Sequence, residues 1–267
     1  MLDLHTHHHR CGHASGTIEQ FIQAAIECGL RVIGISDHAP YFASEQDHLH
    51  PDTAMAKSEF PRYVEEVLLL KERYKDRIEV LLGIESDYFP EHEALYKDVY
   101  AKFPMDYVIG SVHHSGGAPI FRDSRWNAQT EADIFREKET FLRNVQASAR
   151  SGLFDVLGHI DALKRNQPLY GSLTTAETER TMRVIADCDV AIELNSSGAF
   201  QRCEEWYPSV EMLELAVHYR VPITFGSDAH QPAQVARDYE RVAKFLRELG
   251  FRQWALFRQR KRYLIDL

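Results

Sequence analysis

The chain of 267 residues is 44% hydrophobic and 27% charged, which suits one large α/β domain of the size that barrels commonly reach. Its net charge of -9 argues against a nucleic-acid-binding surface, which is expected to be basic. No apolar run approaches the roughly 18 residues of a membrane span, and no apolar signal core precedes the first polar motif, so we expect a cytoplasmic protein without a membrane partner.

The first predicted element is a strand over residues 2–7, which opens a histidine-rich stretch that ends at His13. Side chains alternate between the two faces of a strand, so His5 and His7 project from one face and can bind the same ion. His13 follows on a glycine-containing turn and can reach back over that site. The alternation of apolar residues and ligand-type residues favours a strand over a purification tag or a surface histidine cluster.

Strand and helix patterns then alternate along the chain, which is typical of βα units and a parallel sheet. The other predicted strands cover residues 32–36, 80–84, 107–112, 156–158, 190–194 and 222–226. The predicted helices cover residues 17–28, 61–74, 91–102, 131–150, 174–187, 210–219 and 235–249. Capping boxes begin at Thr17 and at Thr174. A short tail follows, and its basic run over residues 258–262 is interpreted as a solvated edge segment. No repeat or interdomain linker is visible, so we expect one domain over residues 1–267.

Residues of the metal-ligand type stand at the C-terminal ends of these strands, on the face where α/β barrels build active sites. A single histidine at a strand end is more often structural than a ligand, so the prediction depends on a whole set converging at one rim. The set is His5, His7, His13, His38, Glu85, His113, His159, Asp228 and His230. One catalytic zinc takes roughly three or four protein ligands, so this larger set indicates more than one ion.

Several ions at one carboxylate point to chemistry at phosphorus. A carboxylate such as Glu85 can bridge two cations, and cations about 3.5 to 4 Å apart can hold the attacking and leaving oxygens of an in-line displacement. Such a centre lowers the pKa of bound water, so hydroxide is available at neutral pH and no side-chain nucleophile is needed. Cys11 is an alternative ligand, although histidines and carboxylates already suffice.

Six ordered motifs resemble those of the polymerase and histidinol phosphatase (PHP) superfamily. They are His5-Thr6-His7, Ser36-Asp37-His38, Gly83-Ile84-Glu85, Gly110-Ser111-Val112-His113, Gly158-His159-Ile160-Asp161 and Gly226-Ser227-Asp228-Ala229-His230. From about Asp3 to about Tyr263 the chain is similar to the free-standing histidinol-phosphate phosphatases of that superfamily. The resemblance implies a distorted seven-stranded (β/α)7 TIM-like barrel, the PHP fold.

The resemblance also implies a centre of three divalent transition-metal ions. Zn, Fe and Mn all occur in similar proteins, and imidazole and carboxylate suit each of them. Residue by residue, it assigns one ion to His5, His7, Glu85 and Asp228, a second to Glu85, His113 and His159, and a third to His13, His38 and His230.

In similar enzymes the reaction is hydrolysis of L-histidinol phosphate to L-histidinol and phosphate, in histidine biosynthesis. The implied catalytic residues are Glu85, which bridges two ions, and Asp228 or His230, either of which could pass a proton to the leaving group. The predicted partner is therefore a small phosphorylated substrate, and the sequence carries no signal for an oligomeric state.

Cationic side chains near the rim are the predicted contacts of the remaining phosphate oxygens, and solvated surface charge is the alternative interpretation. The candidates are Lys164, Arg165 and Arg202. One loop departs from the pattern of similar proteins. It often reads Asn-Thr-Ala-Gly-Leu-Arg in them but is Asn-Ser-Ser-Gly-Ala-Phe over residues 195–200 here, and the basic residue comes later, at Arg202.

Three other interpretations of the metal-ligand pattern are open. A PHP-type phosphoesterase for nucleotides or oligonucleotides is the main alternative, and the acidic charge balance disfavours its nuclease form. An amidohydrolase barrel also begins with His-x-His, but it usually uses a bridging carboxylated lysine and lacks ligands corresponding to His13 and His230. A metal-storage or sensor protein would not need ligands spread over so many strand ends.

Overall fold

Parallel strands followed by helices run through the chain, as the alternating patterns predicted. The structure is a computed structural model that describes residues 1–127, 129–167, 170 and 175–267. Its strands are β1 (Leu2–Asp3), β2 (Val32–Ile35), β3 (Glu79–Leu82), β4 (Glu85–Asp87), β5 (Ile109–Ser111), β6 (His114–Ser115), β7 (Ala118–Pro119), β8 (Val156–Leu157), β9 (Ala191–Asn195), β10 (Ile223–Gly226), β11 (Gln253–Arg258) and β12 (Lys261–Asp266). Its α-helices within the described ranges are α1 (Ile18–Glu27), α2 (Phe60–Tyr74), α3 (Glu93–Tyr100), α4 (Glu131–Arg150), α5 (Ala176–Asp187), α6 (Val210–Tyr219) and α7 (Tyr239–Leu249).

Two parallel sheets carry the fold, in the orders β1-β2-β3 and β10-β9-β8-β5-β4, and two antiparallel hairpins, β6-β7 and β11-β12, accompany them. β3 and β4 are separated by only two residues of chain, which joins the sheets on one side. On the other side the backbone N–H of Leu4 donates to the carbonyl of Phe225 at 2.9 Å, and the N–H of Asp228 donates to the carbonyl of His5 at 2.8 Å. The C-terminal strand ends of both sheets therefore meet at one rim.

Apolar strand residues make one core with the inner faces of the helices, which is the arrangement of a single α/β domain. The fully buried strand side chains include Ile33, Leu81, Ile109, Leu157, Ile192 and Phe225. Tyr107 crosses the core, and its phenol donates to the carbonyl of Leu4 at 2.5 Å. A Cβ at position 83 would overlap the Tyr107 ring, so Gly83 is the residue that lets the ring pass.

Local capping explains where the helices begin. At α1 the hydroxyl of Thr17 accepts from the Gln20 backbone at 3.3 Å and the Gln20 side chain accepts from the Thr17 backbone at 2.8 Å, which confirms the predicted capping box. Thr174, predicted to cap α5, lies outside the described residues, and Thr175 is the residue that caps this helix. No helix within the described ranges is long and apolar enough to cross a membrane.

The short C-terminal tail folds as a hairpin, which the sequence did not predict. β11 buries Trp254 and Leu256 against the core, while β12 pairs along its whole length. The turn residues Gln259 and Arg260 both have positive φ, 50° and 62°, which the sequence did not signal because neither is glycine or asparagine. Within the predicted basic run, Arg258 forms a surface ion pair with Glu79.

Candidate metal centre

The nine predicted ligand residues come together at the C-terminal rim of the strands. Seven of them line a cavity of about 760 Å³. The residues of the set that line the cavity are His13, His38, Glu85, His113, His159, Asp228 and His230. The remaining two, His5 and His7, are buried and contact the carboxylates of this group.

Glu85 lies at the centre of the cluster, buried and surrounded by imidazole nitrogens. Its distances are 2.8 Å to His38 Nδ1, 3.0 Å to His159 Nε2, 3.5 Å to His113 Nε2, 3.5 Å to His5 Nε2 and 3.6 Å to His7 Nε2. The two oxygens serve different groups, because Oε1 faces His113 and His159 whereas Oε2 faces the other three rings. Each oxygen of Glu85 therefore faces its own set of ring nitrogens.

Asp228 closes the cluster on the opposite side. Its Oδ1 lies 3.1 Å from His7 Nε2, and its Oδ2 accepts from the Ser197 hydroxyl at 3.1 Å and from the Asn195 amide at 3.3 Å. Asp228 and His159 both have positive φ, 54° and 25°, which is unusual for residues with side chains. Such strain costs about 1–3 kcal/mol per residue and persists where the surroundings fix it, as they do at functional sites.

Three carboxylates that the sequence analysis missed lie against Nδ1 of three histidine rings, on the side away from the centre of the cluster. The pairs are His5 Nδ1 with Glu193 at 2.8 Å, His7 Nδ1 with Asp37 at 3.3 Å, and His113 Nδ1 with Asp87 at 2.8 Å. A carboxylate that accepts from Nδ1–H leaves the lone pair on Nε2, and in each ring Nε2 faces the centre of the cluster.

Each of these carboxylates had a signal in the sequence. Glu193 is a charged residue inside an apolar strand, and a buried acid in such a strand needs a polar partner. Asp87 stands two residues after Glu85 on the same strand and therefore on the same face. Asp37 directly precedes His38.

His13 and His230 form a second pair of side chains that could bind a cation. Their Nε2 atoms are 3.0 Å apart, while Nδ1 of His13 faces the carbonyl of Cys11 and Nδ1 of His230 faces the carbonyl of Asp228. A carbonyl can only accept, so each Nδ1 carries the proton in the neutral ring and each Nε2 has a lone pair. Two lone pairs at this distance repel each other unless a cation lies beside them.

The pKa values of the cluster shift in both directions, because carboxylates and imidazoles lie side by side. Burial opposes protonation of His7 and His113, but the neighbouring carboxylates outweigh it and raise the pKa of each to about 9. Burial and adjacent imidazoles lower the pKa of His38 to about 4 and that of His230 to about 3. Although burial opposes ionisation, the surrounding histidines hold the pKa of the Glu85 carboxyl well below its usual range.

The orphaned atoms of the cluster fit divalent metal ions. Nε2 of His5, Nε2 of His7 and Oε2 of Glu85 are buried. Their nearest ligand-type atoms lie 2.8 to 3.5 Å away, but none of the described residues meets them with hydrogen-bond geometry, which is costly unless an ion binds them. Groups of ligand atoms within 4.8 Å of one another, each able to hold an ion, are His5-His7-Glu85, His38-Glu85-His113, His7-His38-His230 and His5-His159-Asp228.

Cys11 belongs to a fifth group, with His7 and Asp37, that could hold an ion. Burial raises the pKa of its thiol, and Sγ donates to the carbonyl of His8 at 3.2 Å. A protonated thiol is a poor metal ligand, so the geometry favours the histidines and carboxylates.

Comparison with known proteins identifies the family. A family model described as PHP domain matches residues 3–197. The chain belongs to the PHP domain family. This confirms the family that the six motifs predicted. A relative from Deinococcus radiodurans, named "Probable histidinol-phosphatase", is 31% identical over 98% of each chain. One from Bacillus subtilis, named "Histidinol-phosphatase", is 27% identical over 89% of this chain and 96% of its own.

Solved structures share the fold of this PHP-domain protein. A histidinol phosphate phosphatase from Lactococcus lactis, complexed with zinc, L-histidinol and phosphate, matches with a TM-score of 0.82 at 19% identity over 98% of each chain. At this identity the likeness establishes the α/β fold.

The predicted cationic contacts are not all brought to the cavity of this PHP domain. Arg165 lines it. Lys164 does not, because it is 1% exposed and its ammonium group forms an ion pair with Asp161 at 3.0 Å. The side chain of Arg202 is 68% exposed on the surface and pairs with Asp123 at 3.4 Å. Two arginines that sequence reasoning missed, Arg122 and Arg237, do line the cavity.

Proposed function

We propose that this PHP-domain protein is a metal-dependent phosphomonoesterase that hydrolyses L-histidinol phosphate to L-histidinol and phosphate, in histidine biosynthesis. The observation that carries the proposal is the buried Glu85 carboxylate, which has imidazole nitrogens on each of its oxygens at the cavity wall. The relatives' histidinol-phosphatase names, and the histidinol and phosphate in the Lactococcus structure, support the choice of substrate.

We assign the nine clustered residues to three divalent ions, which are Zn, Fe or Mn. One ion takes His5, His7, Glu85 and Asp228, a second takes Glu85, His113 and His159, and a third takes His13, His38 and His230. The two oxygens of Glu85 face different rings, which supports its bridging role. When bound, the ions supply Lewis-acid activation of water and of the phosphate group.

A side chain of the cluster must carry the proton from the attacking water to the leaving group. We assign the proton transfer to Asp228 rather than His230. Nδ1 of His230 faces the Asp228 carbonyl and its Nε2 faces His13, whereas the Asp228 carboxylate can accept a proton. It lines the cavity, and Ser197 and Asn195 hold its second oxygen in place. From there it can take the proton of the attacking water and pass it to the leaving alkoxide.

Arg165 is the predicted cation that we retain for the phosphate oxygens. It lines the cavity, and its guanidinium carbon lies 4.7 Å from the centroid of the Phe121 ring. Lys164 and Arg202 are not assigned to the substrate, because their charges are paired away from the cavity.

We also propose that residues 1–267 form one domain whose parallel strands, seven when β3 and β4 are counted as one, close into a distorted (β/α)7 barrel. The backbone hydrogen bonds from Leu4 to Phe225 and from Asp228 to His5 support closure on one side. The parallel bridge between His38 and Glu85 supports it on the other.

The proposal is tested by phosphate release from histidinol phosphate, from other phosphomonoesters and from a dinucleotide, using protein of measured metal content. We expect histidinol phosphate to be turned over most efficiently. Equal turnover of all monoesters would contradict the specific assignment, and release from the dinucleotide alone would favour the oligonucleotide alternative.

A further inference from the structure

Arg237 presents an unpaired guanidinium to the cavity. Its guanidinium carbon lies 3.0 Å from the centroid of the Phe200 ring, and both residues line the cavity that contains the ligand cluster. Among the residues that the structure describes, none forms an ion pair or a side-chain hydrogen bond with this guanidinium. Because a stacked guanidinium keeps its N–H donors at its edges, the donors of Arg237 are free for an anionic ligand.

The backbone that carries Arg237 is strained on both sides. Ala236 and Asp238 have φ of 57° and 69°, in the left-handed region that residues with side chains rarely adopt. These angles explain why α7 begins at Tyr239, four residues later than the sequence predicted.

Two side chains hold this strained turn in place. The Asp3 carboxylate accepts from the backbone N–H of Ala236 at 2.9 Å, and the Asp238 carboxylate accepts from the Trp206 indole at 2.8 Å. Asp3 also accepts from the N–H of Ser227 at 2.9 Å, next to Asp228. The turn is therefore tied to the strand end that carries a predicted metal ligand, and strain fixed in this way is typical of functional sites.

The neighbouring loop lacks a cation at the cavity. Position 200 is Phe200, and the nearby Arg202 is paired on the surface. The aromatic ring at that position instead supports a guanidinium that comes from a distant part of the sequence.

We propose that Arg237 binds the phosphate oxygens of the substrate and that Phe200 is a positioning residue that holds its guanidinium flat. The proposal rests on the phosphatase function proposed above. It places a charge-assisted contact on the side of the cavity formed by residues 197–201 and 234–237.

The test compares Arg237→Gln and Phe200→Leu with the parent holoenzyme. Inhibition by inorganic phosphate, KM and kcat for histidinol phosphate, and metal content are measured for each. We expect Arg237→Gln to raise the inhibition constant of phosphate and KM by about 10-fold or more, with metal content unchanged, because a charge-assisted hydrogen bond is lost. Phe200→Leu should raise KM by less and leave kcat nearly unchanged.

A matched control and a rescue variant exclude a structural effect. Arg77 also lies over an aromatic ring, with its guanidinium carbon 5.7 Å from the centroid of the Tyr74 ring, but it does not line the cavity, so Arg77→Gln should change none of these values. The double variant Phe200→Arg/Arg237→Gln should recover part of the lost phosphate binding. The proposal is overturned if Arg237→Gln stays within twofold of the parent, or if Arg77→Gln has the same effect.

The two proposals fail in distinguishable ways. If the parent protein does not hydrolyse histidinol phosphate, calorimetric binding of inorganic phosphate still compares Arg237→Gln with the parent. Weaker phosphate binding in the variant then supports the role of Arg237 while the substrate assignment fails. A parent protein that binds no phosphate contradicts the role of Arg237 as well.

Discussion

Replacing Glu193 by glutamine removes an acceptor from a carboxylate that accepts three hydrogen bonds. Oε1 accepts from the backbone N–H of His159 and from the Asn195 amide, and Oε2 accepts from Nδ1 of His5, each at 2.8 Å. A glutamine with its carbonyl in the Oε1 position keeps two of these bonds, whereas the flipped amide keeps one. The first orientation is therefore expected, and it places an NH2 group against His5 Nδ1.

The consequence reaches the metal centre through the tautomer of His5. With an amide donor beside Nδ1, the neutral imidazole has two alternatives. Either its Nδ1–H faces the amide N–H, so that two donors meet, or its proton moves to Nε2, which is directed at Glu85 and Asp228. In both cases the lone pair needed for a metal is lost or misdirected. Loss of an orienting partner of this kind costs about 10- to 100-fold in metal affinity.

The assay for Glu193→Gln is competition for zinc against a chromogenic chelator, together with nitrogen NMR of the His5 ring in metal-free protein. Glu179→Gln is the matched control, because it makes the same chemical change on a side chain that is 54% exposed. Burial opposes protonation of His5, but Glu193, Glu85 and Asp228 raise the pKa of its ring well above the usual range, so both nitrogens carry a proton in the metal-free parent. We expect Glu193→Gln to weaken one metal site and to remove the proton from Nδ1 of the metal-free ring. Wild-type affinity together with a protonated Nδ1 would refute the reasoning.

Three further predictions concern the same cluster. Glu85→Gln should lose metal content and more than about 100-fold of phosphatase activity, measured by metal analysis and phosphate release, whereas His9→Gln should retain both. In Gly226→Ala, the added methyl overlaps the Glu193 carboxylate, which should destabilise the fold by about 1–3 kcal/mol in chemical denaturation; unchanged stability would contradict this packing. Because the pKa of His7 in the metal-free protein is raised from 6.5 to about 9, its ring is protonated at neutral pH and must release that proton to bind a metal. Metal affinity should therefore rise with pH between these values, and calorimetry in buffers of different ionisation enthalpy should detect proton release.

The convergence of the predicted ligands could be inferred from the sequence because it depends on short-range geometry. A residue that follows a parallel strand is placed at the rim by the strand itself, as His113 and His159 are. The three carboxylates that orient the histidine rings were harder to predict from the sequence. Glu193, for example, lies within its strand, and its role becomes visible only when His5, 188 residues away, is placed beside it.

The C-terminal hairpin and the left-handed turn before α7 were missed for a different reason. Both depend on positive φ at residues other than glycine, such as Arg260 and Ala236. Tertiary contacts, including the bond from Ala236 to Asp3, offset the local strain, and no local sequence pattern encodes such contacts.

Long cationic side chains are the hardest part of the site to predict, because their direction depends on the charges that surround them. Lys164 follows a motif that reaches the rim, yet Asp161 and Glu205 lie 3.0 and 3.2 Å from its ammonium group and neutralise it inside the protein. A buried cation remains where its counter-charges are, since separating it from them would leave unpaired charge. Arg237 has no such carboxylate among the described residues, so its charge faces the cavity. The arginine that can meet a phosphate is therefore identified by the absence of a counter-ion, and proximity to a motif in the sequence is a weaker guide.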